Sequence, residues 1–178
     1  GAMMRGAGRL YAFDASAHRL QGLQPRLARS GLGNVHTAAI AHERDARLNA
    51  LQGKADAVLV DAPCSGLGTL RRNPDLKYRQ SPETLAKLAE QQHSILDAAS
   101  KLVKPQGRLV YATCSVLPEE NELQVERFLS EHPEFELVNC AELLQSLKID
   151  LDTGKYLRLN SGEHQTDGFF AAVLQRKD

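Results

Sequence analysis

The pattern of hydrophobic and polar positions switches repeatedly between two spacings, and each spacing predicts one type of element. Short apolar runs bounded by turn residues predict six strands, at 9–14, 35–40, 55–60, 108–112, 135–138 and 169–175. Apolar residues at helical spacing predict three helices, at 15–30, from Ser81 through Val103, and at 118–130. Pro105-Gln106-Gly107 is expected to end the second helix. The run ADAVLV at 55–60 is unbroken, which is typical of a strand buried on both faces of a parallel sheet.

Strands that alternate with helices predict an α/β fold with a mostly parallel sheet. In such sheets the carboxyl ends of the strands meet at one edge, where ligands bind. Asp14, Asp61 with Cys64, and Thr113 with Cys114 each follow the end of a predicted strand. We therefore expect these side chains to converge, although a hundred residues separate the first from the last.

Length and composition limit the classes of protein that fit. The 178 residues are enough for one domain with its own core, and no apolar run approaches the roughly 18 residues of a membrane span. Gly1-Ala2-Met3 resembles a cloning scar, so the native sequence is expected to start near Met4 and to form a single domain over 4–178. The three cysteines show no CxxC pair and no metal-ligand spacing, which argues against a disulfide framework and structural zinc and favours a reduced, cytoplasmic setting.

Charge is balanced overall but unevenly distributed. Residues 1–50 carry seven arginines against three acids, and residues 119–136 carry seven glutamates against Arg127. Each segment alone is interpreted as a solvated helix face. The alternative is a basic side that meets a polyanion.

Two cysteines occupy equivalent places after strands, in VDAPCSGLGTLRRNPD at 60–75 and in ATCS at 112–115. A metal-ligand role for Cys64 lacks partner ligands, and Cys140 is interpreted as a plain buried thiol. Two thiols at one edge favour covalent chemistry, in which the thiolate is the nucleophile. The GLGT segment at 66–69 lacks the spacing and lysine of a phosphate loop, whereas the basic turn at 71–79 favours phosphate contacts.

These motifs together resemble the Sun/Nop family of RNA cytosine-5 methyltransferases, which use S-adenosylmethionine (SAM). DAPCSG at 61–66 with RRNPD at 71–75 looks like the family's first cysteine motif and its basic segment. ATCS followed by PEEN at 118–121 is similar to the second cysteine motif, and HQTDGFFAA at 164–172 to the closing motif. The resemblance covers nearly the whole chain and implies a Rossmann-like class I methyltransferase sheet with an antiparallel C-terminal strand.

The resemblance also implies roles for individual residues. Cys114 would attack carbon 6 of cytosine, Cys64 would assist release of the product, and Asp61 would hydrogen-bond or protonate the base at nitrogen 3. Residues implied at the cofactor are Asp14, Asp45, Asp61 and Pro63, and residues implied at the RNA are Arg71, Arg72, Lys77 and His164. Residue spacing alone leaves the two cysteine roles open, because DNA cytosine methyltransferases use a Pro-Cys thiol as nucleophile, which would favour Cys64. The target cytosine is expected to be single-stranded or flipped.

One departure from the family pattern affects the cofactor site. The family's first strand and glycine-rich loop do not precede the helix tail that MRGAGR at 4–9 resembles. In the family that strand lies between the strands that end here at Asp14 and Asp61, so the sheet is expected either to close up or to recruit a strand, for instance from a second copy in a homodimer. Two other classes stay open: an RNA-binding or scaffold module without activity, and a SAM-dependent enzyme acting on DNA or another substrate.

Overall fold

The computed structural model describes residues 1, 3–151 and 153–178. It divides the chain into two compact units, Gly1–Ala50 and Leu51–Asp178. Of the predicted cloning scar, Ala2 lies outside the described residues. The assignment of 4–178 to a single domain stays a prediction.

The first unit contains a parallel strand pair joined by a helix. Strand β1 (Leu10–Asp14) pairs with β2 (Val35–Ala39), and α1 (Ala17–Ser30) connects them. Helix α1 begins after Ser16, whose hydroxyl accepts a hydrogen bond from the Arg19 N–H, and it ends at Gly31, which has a φ of 65°. These bounds confirm the predicted β-α-β order to within two residues at each end.

The second unit is a five-stranded sheet with helices between its strands. Its elements are β3 (Ala55–Asp61), α2 (Pro82–Ser100), β4 (Val103–Thr113), α3 (Glu122–Glu131), β5 (Phe135–Val138), α4 (Cys140–Ser146), β6 (Leu157–Leu159), α5 (Ser161–His164) and β7 (Phe169–Arg176). The strand order is β3-β4-β7-β5, with β6 also paired to β7. β3 and β4 are parallel, and β7 is antiparallel to β4, β5 and β6, as predicted for the C-terminal strand.

The core of this unit is formed by apolar side chains from the strands and from α2 and α3. Its fully buried members include Leu96, Leu109, Val125, Phe128 and Leu174. Each such side chain stabilises the fold by about 1.5–3 kcal/mol relative to an exposed position. The core therefore fixes the carboxyl ends of β3 and β4, which carry the cysteines.

Three sequence predictions are corrected here. Strand β3 is not buried on both faces: Val58 and Val60 join the core, but Leu59 on the other face is 68% exposed. Helix α2 ends at Ser100, and the expected stop signal at 105–107 lies inside β4, where the pairing shifts register opposite Ala55 and Ala57. The acidic helix is interrupted, because a 3₁₀ turn (Pro118–Glu120) and a non-helical Asn121 precede α3.

The strands that end at Asp14 and Asp61 each pair within their own unit. Among the described residues β1 pairs with β2 and β3 pairs with β4. Closing of the sheet and recruitment of a further strand both stay predictions. In the described part of the chain, no helix is long and apolar enough to cross a membrane.

Candidate active site

The two cysteine loops meet at the carboxyl ends of neighbouring strands. β3 and β4 are parallel with Asp61 opposite Ala112, and the Ala62 N–H donates to the Ala112 carbonyl at 2.9 Å. The loops that follow place Cys64 Sγ 3.4 Å from Cys114 Sγ. The predicted convergence of these cysteines, 50 positions apart in sequence, is confirmed. Neither thiol is in a disulfide.

Burial makes the Cys64 thiol difficult to ionise. Removal from water raises its pKa from the ordinary value of 9.0 to about 12, and the neighbouring Cys114 thiol adds to the rise. Cys64 therefore stays protonated at neutral pH, which disfavours it as an attacking thiolate. Cys140 is a separate case: it is 3% exposed at the start of α4, as predicted for a structural thiol.

The residues on either side of each cysteine form hydrogen bonds with side chains of the PEEN segment and of α2. These residues are Pro63, Ser65, Thr113 and Ser115. Glu120, which the sequence placed on a solvated face, is fully buried and accepts hydrogen bonds from Ser65, Ser115 and Gln92. The solvated-face interpretation is therefore wrong for this glutamate. Asn121 beside it accepts from the Thr113 hydroxyl at 2.6 Å.

The closing motif TDGFF contacts the first cysteine loop through two glycines. The Gly68 N–H donates to the Cys114 carbonyl at 2.9 Å, and the Gly168 N–H donates to the Gly68 carbonyl at 2.7 Å. A Cβ on Gly68 would lie 2.3 Å from the Gly168 oxygen, so only glycine fits. The GLGT segment is thus used for close backbone packing, consistent with the expectation that it is not a phosphate loop.

Asp61 and Pro63 lie at the open side of the first cysteine loop. Asp61 is the last residue of β3, and both side chains are exposed. The Pro63 carbonyl accepts from the Gln92 side chain at 2.9 Å. An exposed carboxylate beside the cysteine loop could bind a polar group of a substrate or cofactor.

The basic turn is exposed, but several of its charges are paired. Arg72 forms an ion pair with Asp167, and Arg79 one with Asp75. Lys77 lies 4.8 Å from the centre of the Tyr78 ring, which is 81% exposed. The remaining predicted RNA residues are Arg71, which is exposed in this turn, and His164, whose Nδ1 accepts from the Asn160 N–H at 3.2 Å.

The two acids predicted near the cofactor lie in the first unit. Asp14 ends β1, where one carboxylate oxygen accepts from the Ser16 N–H at 2.7 Å and lies 3.1 Å from Arg19. Asp45 accepts from the Ala41 and Arg47 N–H groups, which hold its pKa below the ordinary value. A carboxylate at the end of a parallel strand is a suitable acceptor for ribose hydroxyls. Their position relative to the cysteines stays a prediction.

Sequence reasoning missed the residues that shape the loops from a distance. Gln92 on α2 carried no local signal, and neither did Gln80, whose amide donates to the Ser65 carbonyl at 3.0 Å. PEEN was noted as a motif, but nothing in it distinguished the buried Glu120 from the exposed Glu119. Within residues 1, 3–151 and 153–178, no three His, Cys, Asp or Glu side chains are grouped as metal ligands would be.

Comparisons with known proteins match nearly the whole chain to one methyltransferase family. The family model described as 16S rRNA methyltransferase RsmB/F matches residues 1–175. The "probable ribosomal RNA small subunit methyltransferase B" of Synechocystis is 38% identical over 177 residues, which are 98% of this chain and 39% of that protein. The chain thus spans about two fifths of the length of this relative.

Solved structures give the same result. The crystal structure of PH0851 superposes with a TM-score of 0.85 at 35% identity, covering 98% of this chain and 38% of that one. NSun6 from Pyrococcus horikoshii with SFG gives 0.81 at 27%, covering 99% and 44%. The predicted Rossmann-like methyltransferase fold is confirmed. With both cysteine motifs in place at adjoining strand ends, this chain belongs to the RsmB/F family of 16S rRNA methyltransferases.

Proposed function

We propose that this chain is the catalytic part of a cytoplasmic, SAM-dependent methyltransferase that modifies carbon 5 of cytosine in ribosomal RNA. The observation that carries the proposal is the contact of the Cys64 and Cys114 sulfurs, 3.4 Å apart, at the carboxyl ends of β3 and β4. Family membership and the named relatives support methylation of ribosomal RNA.

The chemistry needs an attacking thiolate because carbon 5 of cytosine is by itself too weak a nucleophile to attack a methyl donor. The Cys114 thiolate adds to carbon 6, a carbon–sulfur bond forms, and electron density moves to carbon 5. Asp61 would hydrogen-bond or protonate the base at nitrogen 3 and so stabilise the charge that develops. When bound, SAM supplies the methyl group.

Release reverses the addition. The hydrogen on carbon 5 leaves as a proton to water, and the bond between carbon 6 and the Cys114 sulfur breaks with its electron pair on the sulfur. The contact between the two sulfurs supports a role for Cys64 in assisting this elimination. The raised pKa of Cys64 supports this division of roles, since a thiol protonated at neutral pH is a poor nucleophile.

Four side chains would hold the cofactor. Asp14 would accept the ribose hydroxyls, and Asp45 would use the remaining lone pairs of its carboxylate on the adenine side. Asp61 and Pro63 would line the path between the methyl group and the base. Asp61 and Pro63 are both exposed, which supports contact with a ligand.

The RNA would lie across the basic turn. Arg71 and Lys77 would contact phosphates, and Arg72, although paired with Asp167, is 65% exposed and keeps donors for the backbone. His164 would contribute from the closing motif. The exposed Tyr78 ring offers a face on which an unpaired base can stack, so the target strand is expected to be single-stranded or to present a flipped cytosine.

A second copy of the chain could complete the sheet along β3. This strand is paired on one side only among the described residues, and its outer face carries the exposed Leu59. Sedimentation of the chain at increasing concentration tests this, and a monomer throughout would exclude it.

Two measurements test the proposed function. Calorimetric titration of SAM should give saturable binding, and transfer of a labelled methyl group to small-subunit ribosomal RNA should yield 5-methylcytosine by mass spectrometry. No binding at millimolar SAM would instead favour an RNA-binding module without activity.

Trapping distinguishes the cysteine roles. With SAM present, Cys64→Ala should accumulate a covalent complex with RNA, visible as a shifted band in a denaturing gel. Cys114→Ala should form none, because it lacks the attacking sulfur. If Cys114→Ala accumulates the complex instead, the two roles are exchanged. Cys140→Ala is the matched control and should behave as the unmodified chain.

A further inference from the structure

Glu120 is the point at which both cysteine loops are tied together. Its side chain is fully buried, yet its carboxylate has four hydrogen-bond donors. One oxygen accepts from the Ser65 N–H at 2.8 Å and the Gln92 amide at 2.9 Å. The other accepts from the hydroxyls of Ser65 and Ser115, both at 2.5 Å.

Each serine that donates to this carboxylate directly follows a cysteine. Ser65 follows Cys64, and Ser115 follows Cys114, so one acidic group fixes the residue after each thiol. The Gln92 amide also donates to the carbonyl of Pro63, which directly precedes Cys64. The backbone on both sides of Cys64 is therefore held by Glu120 and its partner Gln92.

The second loop is held in the same way through Asn121. Its side chain accepts from the hydroxyl of Thr113, which precedes Cys114, and donates to the Ser115 carbonyl at 3.0 Å. The main chain of Glu120 is anchored too, since the buried Tyr111 hydroxyl donates to its carbonyl at 2.6 Å. The break between the 3₁₀ turn and α3 turns Glu120 and Asn121 inward.

A buried carboxylate costs several kcal/mol to desolvate, and apolar residues of similar volume can often fill such a place without loss of stability. A carboxyl group here, with all four donors taken from the cysteine loops or from Gln92, therefore points to a role in geometry. We propose that Glu120 is a positioning residue that holds the Cys64 and Cys114 thiols in contact. Its part in catalysis rests on the proposed function, whereas its effect on the thiols does not.

The test measures how readily the two thiols form a disulfide in the folded chain, without SAM or RNA. Oxidised glutathione takes two electrons from the pair and is reduced to two glutathione thiols, while Cys64 and Cys114 lose two protons and become bonded. The equilibrium ratio of the disulfide-bonded pair to the reduced pair gives the effective concentration of one thiol near the other. Mass spectrometry identifies the disulfide-linked peptide.

Glu120→Gln keeps the shape of the side chain but replaces one acceptor oxygen by an NH₂ donor. That donor would face the Ser65 and Ser115 hydroxyls, which must turn from donating to accepting, so these two hydrogen bonds are weakened or lost. We expect the effective concentration to fall by about tenfold or more, which corresponds to about 1.4 kcal/mol. Glu119→Gln, on the exposed neighbour, is the matched control and should leave the value unchanged.

Alkylation of Cys140 in the same samples reports global opening, because this buried thiol lies outside the site. A merely structural role would raise Cys140 alkylation together with any loss of the disulfide. Ser115→Ala, which removes one donor, is the milder variant if Glu120→Gln fails to fold, and we expect a smaller fall in the same direction.

Three results would overturn the proposal. The first is an effective concentration in folded Glu120→Gln that stays within about twofold of the value in the unmodified chain. The second is a fall in effective concentration that a rise in Cys140 alkylation fully accounts for. The third is an unmodified chain in which Cys64 and Cys114 form no disulfide under native conditions. None of them bears on methyl transfer, which the SAM titration and the labelled-methyl assay decide separately.

Discussion

Replacement of Gly68 by alanine tests the packing of the first cysteine loop against the closing motif. An added Cβ would lie 2.3 Å from the Gly168 oxygen and 2.7 Å from the Cys114 oxygen. Both are backbone atoms, which cannot rotate away as a flexible side chain could. The loop must therefore separate from both segments to accept one methyl group.

The expected cost follows from the contacts that separation breaks. Forcing a methyl group into a packed site costs about 1–3 kcal/mol. Two backbone hydrogen bonds are also at risk, from Gly68 to Cys114 at 2.9 Å and from Gly168 to Gly68 at 2.7 Å, and each contributes about 1 kcal/mol. We expect Gly68→Ala to lower the free energy of unfolding by about 3 kcal/mol, a large fraction of the 5–15 kcal/mol typical of a domain.

Urea unfolding followed by circular dichroism measures this loss. With a slope of about 2 kcal/mol per molar, the midpoint should fall by about 1.5 M. Gly154→Ala is the control in the same unit, because no heavy atom lies within 4 Å of its added Cβ, and it should stay within about 0.5 kcal/mol. A midpoint for Gly68→Ala equal to that of the control would refute the close approach of the two loops.

Further predictions concern the Cys64 thiol, the hydrogen bonds of Asn121 and the surface proposed to bind RNA. Alkylation of Cys64 should keep accelerating well above pH 9, because its folded pKa is about 12. Since the unfolded thiol loses its proton first, stability should fall as pH rises from about 9 to 12, and Cys64→Ala should reduce this fall. Asn121→Ala should lower the free energy of unfolding by about 1–3 kcal/mol by leaving the Thr113 hydroxyl and Ser115 carbonyl without their partner. Tyr78→Ala should weaken binding of single-stranded RNA by about 1–3 kcal/mol. Arg71→Ala should make RNA binding less dependent on salt, by the amount that corresponds to the loss of about one phosphate contact.

Each has an outcome that would contradict it. An alkylation profile that levels off near pH 9 would show that Cys64 is not shielded from water. If Asn121→Ala has the same stability in urea as the unmodified chain, the hydrogen bonds of Asn121 to Thr113 and Ser115 do not stabilise the fold. Equal RNA affinity for Tyr78→Ala and the unmodified chain, by fluorescence anisotropy, would place the RNA away from this ring.

Local patterns predicted the alternating elements well, because burial of one face imposes a fixed spacing on strands and helices. They failed where tertiary pairing decided the outcome. Val103 has helical spacing with Leu96 and Ala99, yet it starts β4, because it pairs with Ala55 of β3 before the pairing resumes at Arg108. Leu59 belongs to an apolar run, but only one face of β3 is covered.

The sequence by itself determined the α/β order, the two cysteines at equivalent strand ends and the family, because these depend on residue types at short spacing. Only the tertiary structure decided that the sulfurs lie 3.4 Å apart, that Gly68 packs on Gly168, and that Glu120 rather than Glu119 is buried. The physical reason is that a carboxylate can be buried only where donors surround it. Here the fold brings those donors from positions 65, 92 and 115, far apart in sequence.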